Sequence, residues 1–374
     1  MSALLSGKAF CNDILDTSQN TRIAAVSPYA TIDRGWFERA SWCRPFWSEL
    51  QSTNTTGEVM VATNNKAYDW TYLAHPDLVQ NGDYRSAKYR PYVVANVGIS
   101  VPVWSGIFEN YGLSITIPYS VTLWMDAFDG VITGDYGIST GAVINTDYHI
   151  GTLEFNFIHY LARPQWGIKN YSLKVVPYIH ESTHIGDELV LARYKANYPV
   201  TRVNVSFESW KVEGTINDPD FSRDRYHSLR VGILGSYSAR YKGWYRAPNP
   251  DEELEGDAQL VLPSNIPIEV WAQYQFQSQM KPQSRIQWIA SAEVRGRARY
   301  RYPLGEWDKD TPYSQPDKMY PNVNVMIGAR YRHPKSPRFR CIGFGLHGFW
   351  GVNPYGHFRA MKNYGQLGLS LIVE

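Results

Sequence analysis

From Tyr92 onward, apolar and polar residues alternate with period two, the pattern of a strand whose two faces meet unlike surroundings. Val93, Ala95, Val97, Ile99, Val101 and Val103 fall on one face, against Asn96, Gly98 and Ser100 on the other. Leu113, Ile115, Ile117, Tyr119, Val121 and Leu123 then oppose Ser114, Thr116, Ser120 and Thr122. Further on, Leu229, Val231 and Ile233 oppose Ser228 and Arg230, and Ile268, Val270, Ala272, Tyr274 and Phe276 oppose Glu269, Gln273, Gln275 and Gln277. With turns read at Gly, Pro, Asn and Asp clusters, the pattern predicts about twelve strands. Their starts fall near Tyr92, Leu113, Tyr148, Tyr171, Glu188, Arg202, His227, Asn265, Arg285, Tyr320, Arg338 and Tyr364.

The stripe from Val93 to Val103 matches the roughly 9 to 11 residues a strand needs to cross a bilayer, whereas strands of soluble proteins are about half that length. A β-sandwich or lipocalin-like barrel also alternates, but its apolar face lies inside. No apolar run of roughly 18 residues occurs in the chain, which excludes transmembrane helices. Aromatic residues make up 14% of the chain and charged residues only 19%, as expected where side chains meet a membrane boundary. Mean hydropathy is nevertheless negative, because half of each such strand faces water.

The expected fold is therefore all-β, a transmembrane antiparallel up-and-down β-barrel of the bacterial outer membrane formed by residues 91–374. Residues 1–90 read as an irregular segment with an aromatic cluster of Trp36, Phe37, Trp42, Phe46 and Trp47, which either plugs the lumen or packs at the periplasmic rim. With both barrel ends in the periplasm, the long connections Lys242 to Ser264 and Pro303 to Met319 are extracellular, the usual asymmetry. The long connection Asp126 to Thr146 then falls in the periplasm and fits less well.

A formal net charge of +2 without a long Lys/Arg block leaves no nucleic-acid footprint. Nothing in the pattern asks for a cofactor, and the expected surroundings are outer-membrane lipid. Cys11, Cys43 and Cys341 are far apart and lack metal-site spacing, so they read as buried thiols, with a Cys43 to Cys341 bridge left open.

Two constellations carry candidate chemistry. The first is His180-Glu181-Ser182-Thr183-His184-Ile185-Gly186-Asp187-Glu188 at the end of the fourth strand. Some outer-membrane lipid hydrolases use a His and a Ser two apart on a strand, the base activating the hydroxyl, which makes His180 and Ser182 an alternative catalytic pair. Continuous alternation argues against it. Tyr171, Leu173, Val175, Pro177 and Ile179 form the lipid-facing set, which sends His180, Ser182 and His184 into the lumen with Ser172, Lys174 and Tyr178, near the periplasmic rim. There, with Asp187 and Glu188, they read as a polar network, or as ligands for a solute or metal.

The second constellation is a ladder of Arg295, Arg297, Arg299 and Arg301 on one face of the ninth strand. Guanidinium groups about 7 Å apart repel one another and need water or facing carboxylates. Facing water, they make an anion-selective surface; facing Glu208, Glu269 and Glu293, they make a salt-bridge ladder that fills the barrel. The acidic run Asp251, Glu252, Glu253, Glu255 and Asp257 reads as a solvated extracellular loop.

The His180 to Glu188 motif, with Asn145-Thr146-Asp147-Tyr148 upstream and Arg202-Val203-Asn204-Val205-Ser206-Phe207-Glu208 downstream, resembles the bacterial family described as domain of unknown function 1207. Asn353-Pro354-Tyr355-Gly356-His357-Phe358-Arg359 followed by Tyr364-Gly365 looks like that family's closing segment. The resemblance covers roughly Val121 to Glu374 and implies an outer-membrane barrel but no activity. The functional expectation from the residues is a channel or binding barrel for a small anionic or polar solute. The alternatives are a non-conducting subunit of an envelope complex, docked through its N-terminal segment, and the lipid hydrolase.

Overall fold

A strand with one apolar and one polar face satisfies both in a membrane only when its sheet closes on itself, apolar side outward. The computed structural model describes residues 34–36, 45–49, 55–63, 91–126, 142–185, 202–219, 224–237, 242–246, 258–261, 268–280, 284–298, 319–332, 341–354 and 364–373. One antiparallel sheet contains β1 (Arg34–Trp36), β2 (Thr55–Ala62), β3 (Pro91–Phe108), β4 (Tyr111–Asp126), β5 (Ala142–Gly151), β6 (Glu154–Gln165), β7 (Ile168–Ile185) and β8 (Arg202–Ile216). It continues through β9 (Tyr226–Ser236), β10 (Lys242–Arg246), β11 (Ala258–Val261), β12 (Ile268–Gln277), β13 (Ile286–Ala298), β14 (Met319–Arg332), β15 (Cys341–Gly351) and β16 (Tyr364–Val373).

These strands fill twelve positions of a closed ring. Both β5 and β6 pair with β4 on one side and β7 on the other, so together they make one interrupted strand. In the same way β10 prolongs β9 along β8, and β11 prolongs β12. Closure is made by β16 on β2, from Gln366 opposite Ala62 to Val373 opposite Thr55. The short β1 lies on the lower part of β3, with Trp36 opposite Trp104.

The closing strand corrects the expected boundary at residue 91. Thr55–Ala62 belongs to the barrel wall between β16 and β3; interrupted by Gly57 and Glu58, it is too short and too polar to stand out by alternation. The strand expected from Glu188 lies outside the described residues, and β7 pairs directly with β8, from Tyr171 opposite Ile216 to Ser182 opposite Ser206. The total of twelve survives because one strand replaces the other. Chain direction in the first third reverses as a result. The connections Ala62 to Pro91, Asp126 to Ala142, Ile185 to Arg202, Ala298 to Met319 and Gly351 to Tyr364 now share one end with the β10–β11 hairpin, and the tight turns share the other. The Asp126 connection is therefore extracellular, and the asymmetry holds throughout.

One tight turn shows its chemistry plainly. Trp166 and Gly167 both have positive φ, 51° and 80°, between the paired Gln165 and Ile168, which is the primed two-residue turn whose twist suits a hairpin. Outside the ring, Val97 is 44% exposed, Val231 56% and Phe344 64%, whereas Arg230 inside is 1% exposed. Exposed Tyr111, Trp166, Tyr171, Tyr274, Trp288 and Tyr331 gather toward the tight-turn rim, as an aromatic collar at the periplasmic interface does. The chain is a barrel of the bacterial outer membrane.

The alternation breaks near one height in β3, where the register against β4 shifts between Pro102 and Trp104, and in two adjacent strands on the other side of β4. Thr152 and Leu153 are both exposed between β5 and β6, and Pro177 and Tyr178 both avoid the interior of β7. The register shifts by one residue against β4 and against β8 but is kept between the two strands themselves. Above this paired bulge the faces exchange. Ile179, Glu181 and Thr183 are buried inside, while His180, Ser182 and His184 turn outward with Tyr148 and Ile150. This overturns the inward placement expected for the three residues, because a bulge inserts one residue and inverts every side chain beyond it. They also sit toward the extracellular end of β7, not the periplasmic rim. An epitope tag inserted between Asp126 and Ala142 should stain on intact cells, and one inserted at Trp166–Gly167 only after permeabilisation; the opposite labelling would reject this topology.

Candidate functional site

Between β1 and β2 the chain enters the barrel. Phe46, Trp47 and Ser48 are buried there in a turn closed by the Glu49 amide donating to the Phe46 carbonyl at 3.0 Å. The Trp47 amide donates to Gln275 Oε1 at 2.9 Å on β12, and Ser48 Oγ lies 2.7 Å from Ser291 Oγ on β13. Asn324 Nδ2 on β14 donates to the Ser48 carbonyl. The Trp47 indole packs on Ile289, Met326 and Ile372 and crosses Gly343, where a Cβ would stand 2.7 Å from the ring. The described residues 45–49 of the N-terminal segment thus lie inside the lumen, and this stretch is termed the plug below.

Charge completes the attachment. Glu49 Oε2 accepts from Arg230 Nη1 at 3.0 Å, and its other oxygen is 3.7 Å from Lys211 Nζ. Arg230 also lies 4.4 Å over the Phe46 ring. Buried Glu213 sits among Lys174 at 3.4 Å, Lys211 at 3.7 Å and Arg230 at 4.0 Å. Lys174 reaches Glu154 at 3.9 Å, and Arg230 reaches Asp218 at 3.6 Å. Near the plug, His347 Nδ1 is 2.9 Å from Glu58 Oε1, and its Nε2 meets Asn324 Oδ1. A cavity of about 60 Å³, lined in part by Trp47, Glu49, Glu58, Asp147 and His347, separates the plug from the opposite wall. That is room for a few waters.

Arg295 and Arg297 project into the same interior, and carboxylates meet them. Arg295 Nε donates to Glu293 at 2.9 Å and its Nη1 to Glu269 at 3.1 Å, while Arg297 Nε donates to Glu269 at 2.8 Å. Arg295 also stacks 4.3 Å above Trp271. Of the two arrangements considered for the ladder, these residues adopt the salt-bridged one. Glu208 takes no part in it: it is the cross-strand partner of His180 on the outward face. Arg299, Arg301, Asp187 and Glu188 lie outside the described residues, as do Asp251, Glu252, Glu253, Glu255, Cys11 and Cys43; Cys341 is buried.

A second polar grouping lies outside the barrel. Ser182 Oγ is 3.3 Å from Nε2 of exposed His184. The Tyr148 ring meets His184 edge to face, with centroids 5.4 Å apart. Below them, Tyr178 donates to Glu208 Oε1 at 2.6 Å, and Tyr237 donates to the Pro177 carbonyl at 2.6 Å. The structure thus brings Ser182 to His184, whereas the sequence pointed to His180 as its partner. Among the described residues, no group of three or more His, Cys, Asp or Glu is placed to hold a metal ion.

No family model and no curated protein matches the chain. Among solved structures, it is similar to the outer membrane phospholipase A from Escherichia coli, with 11% identity over 86% of this chain and 90% of that one and a TM-score of 0.39. It is similar to the beta domain of the Bordetella autotransporter BrkA, with 8% identity over 85% and 96% of the chains and a TM-score of 0.38. It is also similar to the CymD monoaromatic hydrocarbon channel, with 10% identity over 86% and 87% and a TM-score of 0.35. Likenesses so distant assign no activity.

Glu269 joins the two arginines, so Glu269→Gln removes the carboxylate they share. Breaking a buried pair from one side costs about 3–5 kcal/mol. The variant should unfold from lipid vesicles at clearly lower urea concentration than the parent; an unchanged midpoint would contradict the paired ladder.

Proposed function

We propose that this outer-membrane barrel is sealed along its axis and serves the envelope as a rigid scaffold, not as a conduit for small anions. The observation that carries this reading is the plug: Trp47, Ser48 and Glu49 are bonded to the lumen faces of β8, β9, β12, β13 and β14. The paired state of Arg295 and Arg297 supports it, because a guanidinium neutralised by Glu269 and Glu293 presents little field to a passing anion. A non-conducting barrel fixed by internal ion pairs offers its two rims and outer wall for work. Assembly with envelope partners through the rims, including the segment that precedes the plug, is part of this proposal, as is membership of the resembled family.

Planar-bilayer recording tests the seal. The parent protein should give no unitary steps, and a variant with Phe46, Trp47, Ser48 and Glu49 all changed to Gly should give them, with heat-dependent gel mobility verifying that the barrel has formed. Regular conductance from the parent, or silence from the folded variant, would overturn the plug as the seal.

A further inference from the structure

The outward face of β7 begins as lipid-facing strands do, with Tyr171, Leu173 and Val175. Continued alternation would have placed apolar Ile179 against lipid and the polar trio inside. The paired bulge does the reverse. It buries Ile179 completely and exports His180, Ser182 and His184. Polar side chains on a lipid-facing wall are costly and rare, and bulges that re-aim a side chain are features of sites. A local conflict between pattern and structure is where function is expected to lie.

The height of the trio is also informative. From Tyr171 in the periplasmic collar to His180 the strand runs about 30 Å at about 3.3 Å per residue, and a tilt near 40° leaves about 23 Å of height. The apolar band of such barrels is roughly 25 Å tall. Ser182 therefore lies at the outer boundary of the hydrocarbon, the level at which acyl esters join lipid chains to their headgroups.

We infer that Ser182 and His184 form a nucleophile and general base acting on acyl esters of lipids in the outer leaflet. Ser182 Oγ lies 3.3 Å from His184 Nε2, the reach of such a pair before substrate tightens it, and in the proposed pair the hydroxyl donates to that nitrogen. Ser182 Oγ attacks the ester carbonyl carbon as its proton passes to Nε2. The ester C–O bond then breaks, and the departing alcohol takes that proton, leaving an acyl-serine. Water attacks the acyl-serine, gives a proton to Nε2, and releases the fatty acid as Ser182 recovers its hydrogen. Tyr148, edge-on to the imidazole, is the positioning residue. This site is independent of whether the lumen conducts.

The whole protein, purified in detergent, is assayed for fatty-acid release from phosphatidylethanolamine mixed micelles and, separately, from lipopolysaccharide, to identify the ester source. A long-chain fluorophosphonate supplies a second readout, the labelled peptide being located by mass spectrometry. Release from either lipid, lost by about 100-fold or more in Ser182→Ala and His184→Ala but kept within a few-fold in His180→Ala, together with phosphonylation at Ser182, supports the site. Release undiminished in Ser182→Ala, loss in His180→Ala with retention in His184→Ala, or neither release nor labelling in the folded parent overturns it. Heat-dependent gel mobility checks folding of each variant.

Discussion

A charge withdrawn from water costs several kcal/mol unless an opposite charge and hydrogen bonds meet it, and this barrel withdraws many. Lys174, Arg230, Arg295, Arg297, Glu154, Glu213, Glu269 and Glu293 are all buried inside a ring of twelve strands. With lipid on the outside, their side chains have nowhere else to point. They persist because each is placed against a partner on a neighbouring strand or on the plug. Glu49 illustrates the dependence: it comes from outside the wall, yet Arg230 and Lys211 both lean on it. Plug and wall are thereby parts of one electrostatic unit.

The same constraint explains which features were legible in the sequence. Where one face must be apolar and the other polar, as from Ile268 to Gln277, composition records the facing residue by residue. Arg295 and Arg297 were readable as lumen residues because Ala290, Ala292 and Val294 alternate with them. Their partners were open, since strand order is needed to bring Glu269 beside them. Thr55–Ala62 was hidden: as the closing strand it is short and carries Glu58 for His347, so its pattern resembles a loop. Missing it inverted the direction of the first strands, which is why the Asp126 connection fitted badly. The plug's Phe46 and Trp47 lay in a visible aromatic cluster, but only the fold shows that they point inward.

The paired bulge is the least legible feature and has the largest consequence for chemistry. Pro177 and Tyr178 are tolerated on a lipid-facing wall, so nothing in the local pattern marks the inserted residue. One such insertion exchanges the fates of six side chains, from Ile179 to His184. It converts a trio expected in a wet interior into a polar group at the lipid boundary. The interior beyond it is completed by Thr183, bonded to Asn145 and Asp147, so both faces of the inverted segment have partners suited to them.

Which way side chains face, below the bulge and above it, decides what the lumen and the outer wall can do. Single nitroxide labels at Ser172, Leu173, Ser182, Thr183, Ser228 and Leu229, in protein reconstituted into lipid vesicles, report that facing through collision with membrane-dissolved oxygen. High oxygen access is predicted at Leu173, Ser182 and Leu229, with shielding at Ser172, Thr183 and Ser228. Access at Thr183 with shielding at Ser182, or equal access at Ser228 and Leu229, would contradict this facing.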